Sequence, residues 1–134
     1  MIYTELPRAR HARDDGWLSE LVSMNYADEP FNCVHSYVVS VAPDRTRAKH
    51  YHLKKEEWLA IAAGKILLRL RDIDTGESAQ VLLDSGAETY RLIYVPPRVA
   101  HAIENVGQGE ASMIIFSRTP EDKADTIPFD LGDA

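Results

Sequence analysis

Eight short runs in which apolar and polar residues alternate, each bounded by turn-forming residues, occupy most of this chain and leave little room for a helix. They fall at 17–22, 37–41, 47–52, 59–72, 79–83, 92–95, 100–104 and 111–117. Asp74-Thr75-Gly76-Glu77 separates two of them as a hairpin turn should, and Asn105-Val106-Gly107-Gln108-Gly109 separates another two. Pro96-Pro97 removes two backbone donors, so the chain there runs at an edge or enters a turn. Many short strands with regular turns predict an all-β fold, a sandwich or a small jelly-roll barrel that holds one ligand in its mouth.

At 134 residues, 45% of them hydrophobic, the chain buries a core without a second domain or a disulfide scaffold. We read 1–134 as a single domain. Residues 1–16, with Arg8, Arg10, His11 and Arg13, are expected as a mobile arm or a strand added to a partner subunit; residues 118–134 are expected as a tail. The single cysteine, Cys33, forms no internal disulfide, and no apolar run approaches a membrane span, so a soluble cytoplasmic protein is expected. A net charge of −6 argues against a nucleic-acid partner. Edge strands need covering, and a homodimer is the expected cover.

The chemistry concentrates in His50-Tyr51-His52-Leu53-Lys54-Lys55-Glu56-Glu57 and, further along, His101. Residues two apart in a strand share a face, so His50 and His52 converge while Tyr51 faces away. Glu57 shares parity with Leu59 and Ile61 and so faces inward, and His101 arrives from another hairpin. Three imidazoles and a carboxylate suit a divalent metal: Zn, Fe, Mn or Ni. Arg45, Arg47, Lys49, Lys54 and Lys55 surround the histidine pair with no acid among them. They mark either a small anionic ligand or solvated turns and outward faces.

His-x-His, Glu57 and Gly64, followed by Pro96 to His101 and Asn105, resemble the two motifs of the cupin superfamily. Asp44 and Arg98 stand where that family usually has glycine, and Arg98 carries strain if its position needs a positive φ. Asp15-Gly16-Trp17 and Arg47-Ala48-Lys49-His50-Tyr51-His52 resemble segments of the nucleotide-sugar cupins, with Ala48 in place of a usual glycine. These are the dTDP-4-dehydrorhamnose 3,5-epimerases, the keto-sugar isomerases and the metal-binding C-terminal cupin of capsular nucleotide-sugar reductases. Ile103-Glu104-Asn105 and the tail from Pro120 to Thr126 are similar to the last group.

The resemblance implies an epimerase or isomerase acting on a nucleotide-linked 4-keto sugar, through proton abstraction beside the carbonyl. It implies His50, His52, Glu57 and His101 as metal ligands, His50 as the base in metal-free relatives, and Tyr94 or Lys49 as a proton shuttle. Arg47, Lys54 and Arg98 are the candidate contacts to an anionic substrate. By strand parity Arg47 and Lys49 face away from His50 unless a bulge at the Pro43-Asp44 turn re-aims them. Two other classes remain open: an Fe(II)-dependent cupin dioxygenase and a non-catalytic sugar- or metabolite-binding module.

Overall fold

The computed structural model describes residues 2–23, 26–27 and 33–132; Met1 and the chain end at Asp133 and Ala134 lie outside them. In chain order the strands are β1 (Thr4–Arg8), β2 (His11–Arg13), β3 (Gly16–Leu18), β4 (His35–Val41), β5 (Thr46–Tyr51) and β6 (Glu57–Ala63). There follow β7 (Lys65–Asp72), β8 (Ser78–Asp84), β9 (Tyr90–Val95), β10 (Val99–Asn105), β11 (Ala111–Ser117), a 3-10 turn (Lys123–Asp125) and β12 (Ile127–Pro128). One five-stranded sheet has the order β1-β9-β6-β11-β4, the other β12-β5-β10-β7-β8, and β2-β3 form a separate hairpin. The pairings are antiparallel. This is the expected jelly-roll cupin fold, its two sheets face to face without closing into a continuous barrel.

Alternation supplies the core. Ile66, Leu68 and Leu70 of β7 are buried, as are Val81 and Leu83 of β8 and Met113 and Ile115 of β11. Each such side chain contributes about 1.5–3 kcal/mol by leaving water. The predicted run 59–72 is two strands in different sheets, broken at Gly64. There φ is +81° and a Cβ would lie 2.9 Å from Ala111, so only glycine lets the chain cross between sheets.

Three expectations are corrected. The run 17–22 stops as a strand at Leu18, because Leu21 turns back against the core and its carbonyl accepts Arg8 Nε at 2.6 Å. The expected arm, over its described residues 2–16, is not free: β1 pairs along its length with β9 of the same chain, and β2 folds onto β3. The segment after 118 is not a loose tail either. β12 pairs with Tyr51 and His50 of β5, and Leu131 is buried.

Candidate metal centre

β5, β6 and β10 bring the predicted cluster together. One potential ligand atom from each of His50, His52, Glu57 and His101 lies within 4.8 Å of the others. Parity explains the set. His50 pairs with His101 across the β5–β10 ladder, and Glu57 opens β6 on the facing sheet, beside Val95. His52, Glu57 and His101 are buried, and His50 is partly exposed where it lines a cavity of about 130 Å³ with Tyr37, Glu57 and His101.

Two rings are anchored from behind. His52 Nδ1 lies 2.8 Å from the carbonyl oxygen of Asp125, and His101 Nδ1 lies 3.2 Å from that of Val99. A carbonyl only accepts, so both Nδ1 atoms carry a proton and Nε2 is the atom each ring turns inward. Both inward nitrogens meet one carboxylate oxygen: Glu57 Oε1 is 3.3 Å from His52 Nε2 and 3.2 Å from His101 Nε2. His52 Nε2 is nevertheless buried without a hydrogen bond. Metal–ligand bonds of about 2.0–2.2 Å separate neighbouring ligand atoms by about 3.0–3.5 Å. Donor chemistry, spacing and the unsatisfied nitrogen therefore fit a divalent cation.

Glu57 is fixed through its other oxygen. The Tyr37 hydroxyl donates to Oε2 at 2.7 Å, and Lys55 Nζ stands 3.7 Å from it. Burial opposes the charge on Glu57, but the imidazoles of His101 and His52 and the Tyr37 hydroxyl outweigh it and hold its carboxyl well below the usual range. Burial, then the Glu57 charge, pushes the Tyr37 hydroxyl up. His50 differs from the other two imidazoles. No hydrogen bond holds its ring among the described residues, and burial, reinforced by His101 and His52, lowers its pKa to about 4. It is a neutral imidazole at physiological pH.

Arg47 reaches the same cavity by a route the sequence did not reveal. The register shifts between His101 and Ala102, so Lys49 has no partner and Arg47 pairs with Ile103, on the face His50 occupies. The bulge sits at Ala48 and Lys49, with φ of 69° and 56°, rather than at the Pro43-Asp44 turn. It re-aims Arg47 to the cavity wall, where its guanidinium donates to the Ser40 carbonyl. Asp44 and Arg98 also take positive φ, 62° and 66°, so non-glycine residues occupy the left-handed conformation at the three sites where the resembled families use glycine.

Four predicted site residues lie elsewhere. Tyr94 pairs with Trp58 on the outer face of the first sheet, and its hydroxyl donates to Glu56, because its parity is opposite to that of Glu57. Lys49 is the exposed, unpaired residue of the bulge. Lys54 is exposed on the turn between β5 and β6, and it is Lys55 that turns inward, 5% exposed. Arg98 forms a two-point ion pair with Asp74, at 2.8 and 2.7 Å, that braces the β7–β8 turn. Tyr37, Lys55 and Asp125 are the residues that sequence reasoning missed at the site. For Tyr37, inward parity on β4 was the available signal.

A jelly-roll sandwich with three imidazoles and a glutamate gathered in its cavity defines a cupin. The profile of the polysaccharide biosynthesis C-terminal domain family matches residues 11–127, and the chain belongs to that family. No curated protein matches it by sequence. Among solved structures it is similar to a dTDP sugar isomerase from Desulfovibrio desulfuricans, with 20% identity and a TM-score of 0.84 over 96% of this chain and 83% of that one. It is similar also to QdtA, a sugar 3,4-ketoisomerase from Thermoanaerobacterium thermosaccharolyticum solved with TDP, with 22% identity and a TM-score of 0.75 over 94% and 87%. A third is NovW, a 4-keto-6-deoxy sugar epimerase from Streptomyces spheroides, with 14% identity and a TM-score of 0.79 over 93% and 67%. At these identities the likeness is one of fold.

Proposed function

We propose that this chain is an epimerase or isomerase of a nucleotide-linked 4-keto sugar, with a divalent metal in its cavity. The observation that carries the reading is the unanchored, neutral His50 facing a cavity between the His52–Glu57–His101 set and Arg47. The sugar chemistry named for the three similar structures supports it.

His52, Glu57 and His101 would hold the ion, a three-ligand set that leaves positions open, and the ion would supply Lewis-acid polarisation of the sugar carbonyl. His50 takes the proton. The C–H bond beside the ketone breaks, its electron pair forms the C=C of an enolate, and the carbonyl pair moves onto oxygen. Return of a proton from solvent to the opposite face of that carbon gives the epimer; return of the His50 proton to the former carbonyl carbon, with the hydroxyl on the first carbon passing its proton to the enolate oxygen, shifts the ketone. Tyr37 and Lys55 keep Glu57 charged and oriented. Arg47, at the wall, takes the anionic part of the substrate. A lone pair given to a metal is not available to a proton, so base and ligand are exclusive roles for His50.

The working unit in this proposal is a cytoplasmic homodimer. Val38, 68% exposed on the outer face of β4, lies on a surface a second copy would cover. Among the described residues no helix is long and apolar enough to cross a membrane. Metal analysis of the purified protein, followed by incubation with dTDP- and UDP-linked 4-keto sugars in deuterated water, tests the reading. Deuterium entering the sugar ring is expected. Oxygen consumption with bound iron, or binding without exchange, would replace the isomerase by a dioxygenase or a binding module.

A further inference from the structure

The segment after β11 closes on the site from outside the sheets, and Asp125 is its contact. This residue is buried at 8% exposure on a stretch that is otherwise exposed from Arg118 to Ala124. Its backbone carbonyl receives His52 Nδ1 at 2.8 Å. Its carboxylate accepts three successive amides: Leu53 at 2.8 Å, Lys54 at 3.2 Å and Lys55 at 3.0 Å. Those amides belong to the turn that joins His52 to Glu57. One residue thus holds a ligand ring by its main chain and, by its side chain, the loop that sets the distance between that ligand and the next. Glu121, four residues earlier, adds an ion pair at 3.0 Å to Lys55, which itself faces Glu57.

We propose that Asp125 is a positioning residue of the metal centre, and that the segment carrying it behaves as a clasp whose closure and metal binding reinforce one another. The inference rests on the metal reading given above. The physical basis is geometric. A ligating imidazole gives directional binding only when its other nitrogen is fixed, and partners that do this commonly change metal affinity by about 10–100-fold. The His52 ring, just past the end of β5, turns about two side-chain bonds, and the Asp125 carbonyl is the group that stops the turn. The carboxylate matters as much, because it stacks three amides of one loop onto a single acceptor and so fixes where that carbonyl sits relative to residue 52. Reciprocity follows: whatever closes the clasp raises metal affinity, and metal raises the fraction of closed clasps by the same factor.

Cobalt(II) binding to the full-length chain, measured by chelator competition and by the visible ligand-field spectrum, tests this. Three variants decide it. Asp125→Ala removes the acceptor, Asp125→Asn keeps one carbonyl oxygen in place, and Asp122→Ala removes only a local bond to the Ala124 amide on the same segment. Asp125→Ala is expected to bind cobalt about 10–100-fold more weakly with an altered spectrum. Asp125→Asn should recover part of the affinity, and Asp122→Ala should match the parent protein. If Asp125→Ala does not fold, Asp125→Asn alone still has to show a weakened affinity and a shifted spectrum. Parent-like affinity and spectrum in a folded Asp125→Ala protein would overturn the proposal, as would an equal loss in Asp122→Ala. A parent protein that binds no cobalt defeats the metal reading itself, and the clasp with it.

Discussion

His50 faces His101 directly across the β5–β10 ladder, their ring centroids 4.8 Å apart, while Lys49 beside it has no partner on β10. That single unpaired residue puts Arg47 and His50 on one face although they are three apart in sequence. The bulge is made by Ala48 and Lys49, both left-handed, a conformation that opposes an ordinary side chain by about 1–2 kcal/mol per residue.

Ala48→Gly relieves that opposition while leaving the bulge in place. Glycine's greater freedom in the unfolded chain offsets part of the gain, so a net stabilisation of about 0.5–1 kcal/mol is expected. Urea unfolding reads it as a higher midpoint at unchanged slope. A midpoint that stays or falls would mean the positive φ at Ala48 carries no strain.

In the proposed mechanism His50 is the base and His52 a ligand, and substitution tells the two roles apart. His52→Ala should abolish stoichiometric metal, since it removes the ring whose Nε2 is buried and unsatisfied. His50→Asn should retain metal and lose solvent exchange by about 100-fold or more, the usual contribution of a general base. Metal lost from both variants alike would make His50 a ligand and move the base elsewhere.

The acid response of the metal-free protein should carry the mark of His50. Its folded pKa, about 4, lies below the unfolded value of about 6.5, so the unfolded chain takes up the proton first. Stability is therefore full above about 6.5 and declines as the pH falls from there toward 4. Replacing His50 with Asn should flatten that window, and proton NMR should find the His50 ring neutral at pH 5.5. A ring already charged at that pH contradicts the burial argument.

How much of this was readable beforehand follows from which residues obey a period. His50 and His52 share parity at the end of β5 and Glu57 shares it with Leu59 and Ile61 on β6, so the two-residue repeat faced them inward and the resemblance to the cupin motifs joined them with His101. Gly64 fell where a glycine was needed but marks a sheet crossing, which alternation cannot reveal because both strands carry the same pattern. Tyr37 rather than Tyr94 reaches Glu57 for a similar reason: both sit on good strands, and only the registers of β9 on β6 and of β4 on β11 decide which faces it. The bulge left no local trace, since Ala48 and Lys49 are neither glycine nor asparagine. Asp125 was invisible because its function lies in a carbonyl and in amides more than seventy residues back along the chain.

The two tyrosines make the corrected assignment testable. Tyr37→Phe removes the hydroxyl on Glu57 Oε2 and should lower turnover about tenfold or more, with weaker metal binding. Tyr94→Phe breaks a bond to Glu56 on the far side of the sheet and should leave turnover within about twofold. The reverse ranking would return Tyr94 to the chemistry.

Arg47 offers the sharpest separation of binding from chemistry. Arg47 lines the cavity, its guanidinium donates to the Ser40 carbonyl, and the bulge places it on the face of His50. A charge-assisted hydrogen bond to a phosphate oxygen contributes about 1.5–3 kcal/mol, which corresponds to roughly 10–100-fold in affinity. Arg47→Met should therefore raise KM for the nucleotide-linked sugar by that factor while kcat changes much less, because the proposed mechanism places the reacting carbon against His50. Arg98→Met is the matched control: it also removes an exposed arginine, but one committed to Asp74, and KM should not move. Equal effects from the two arginines would mean that overall charge, rather than a directed contact, attracts the substrate, and raising the salt concentration would then abolish both.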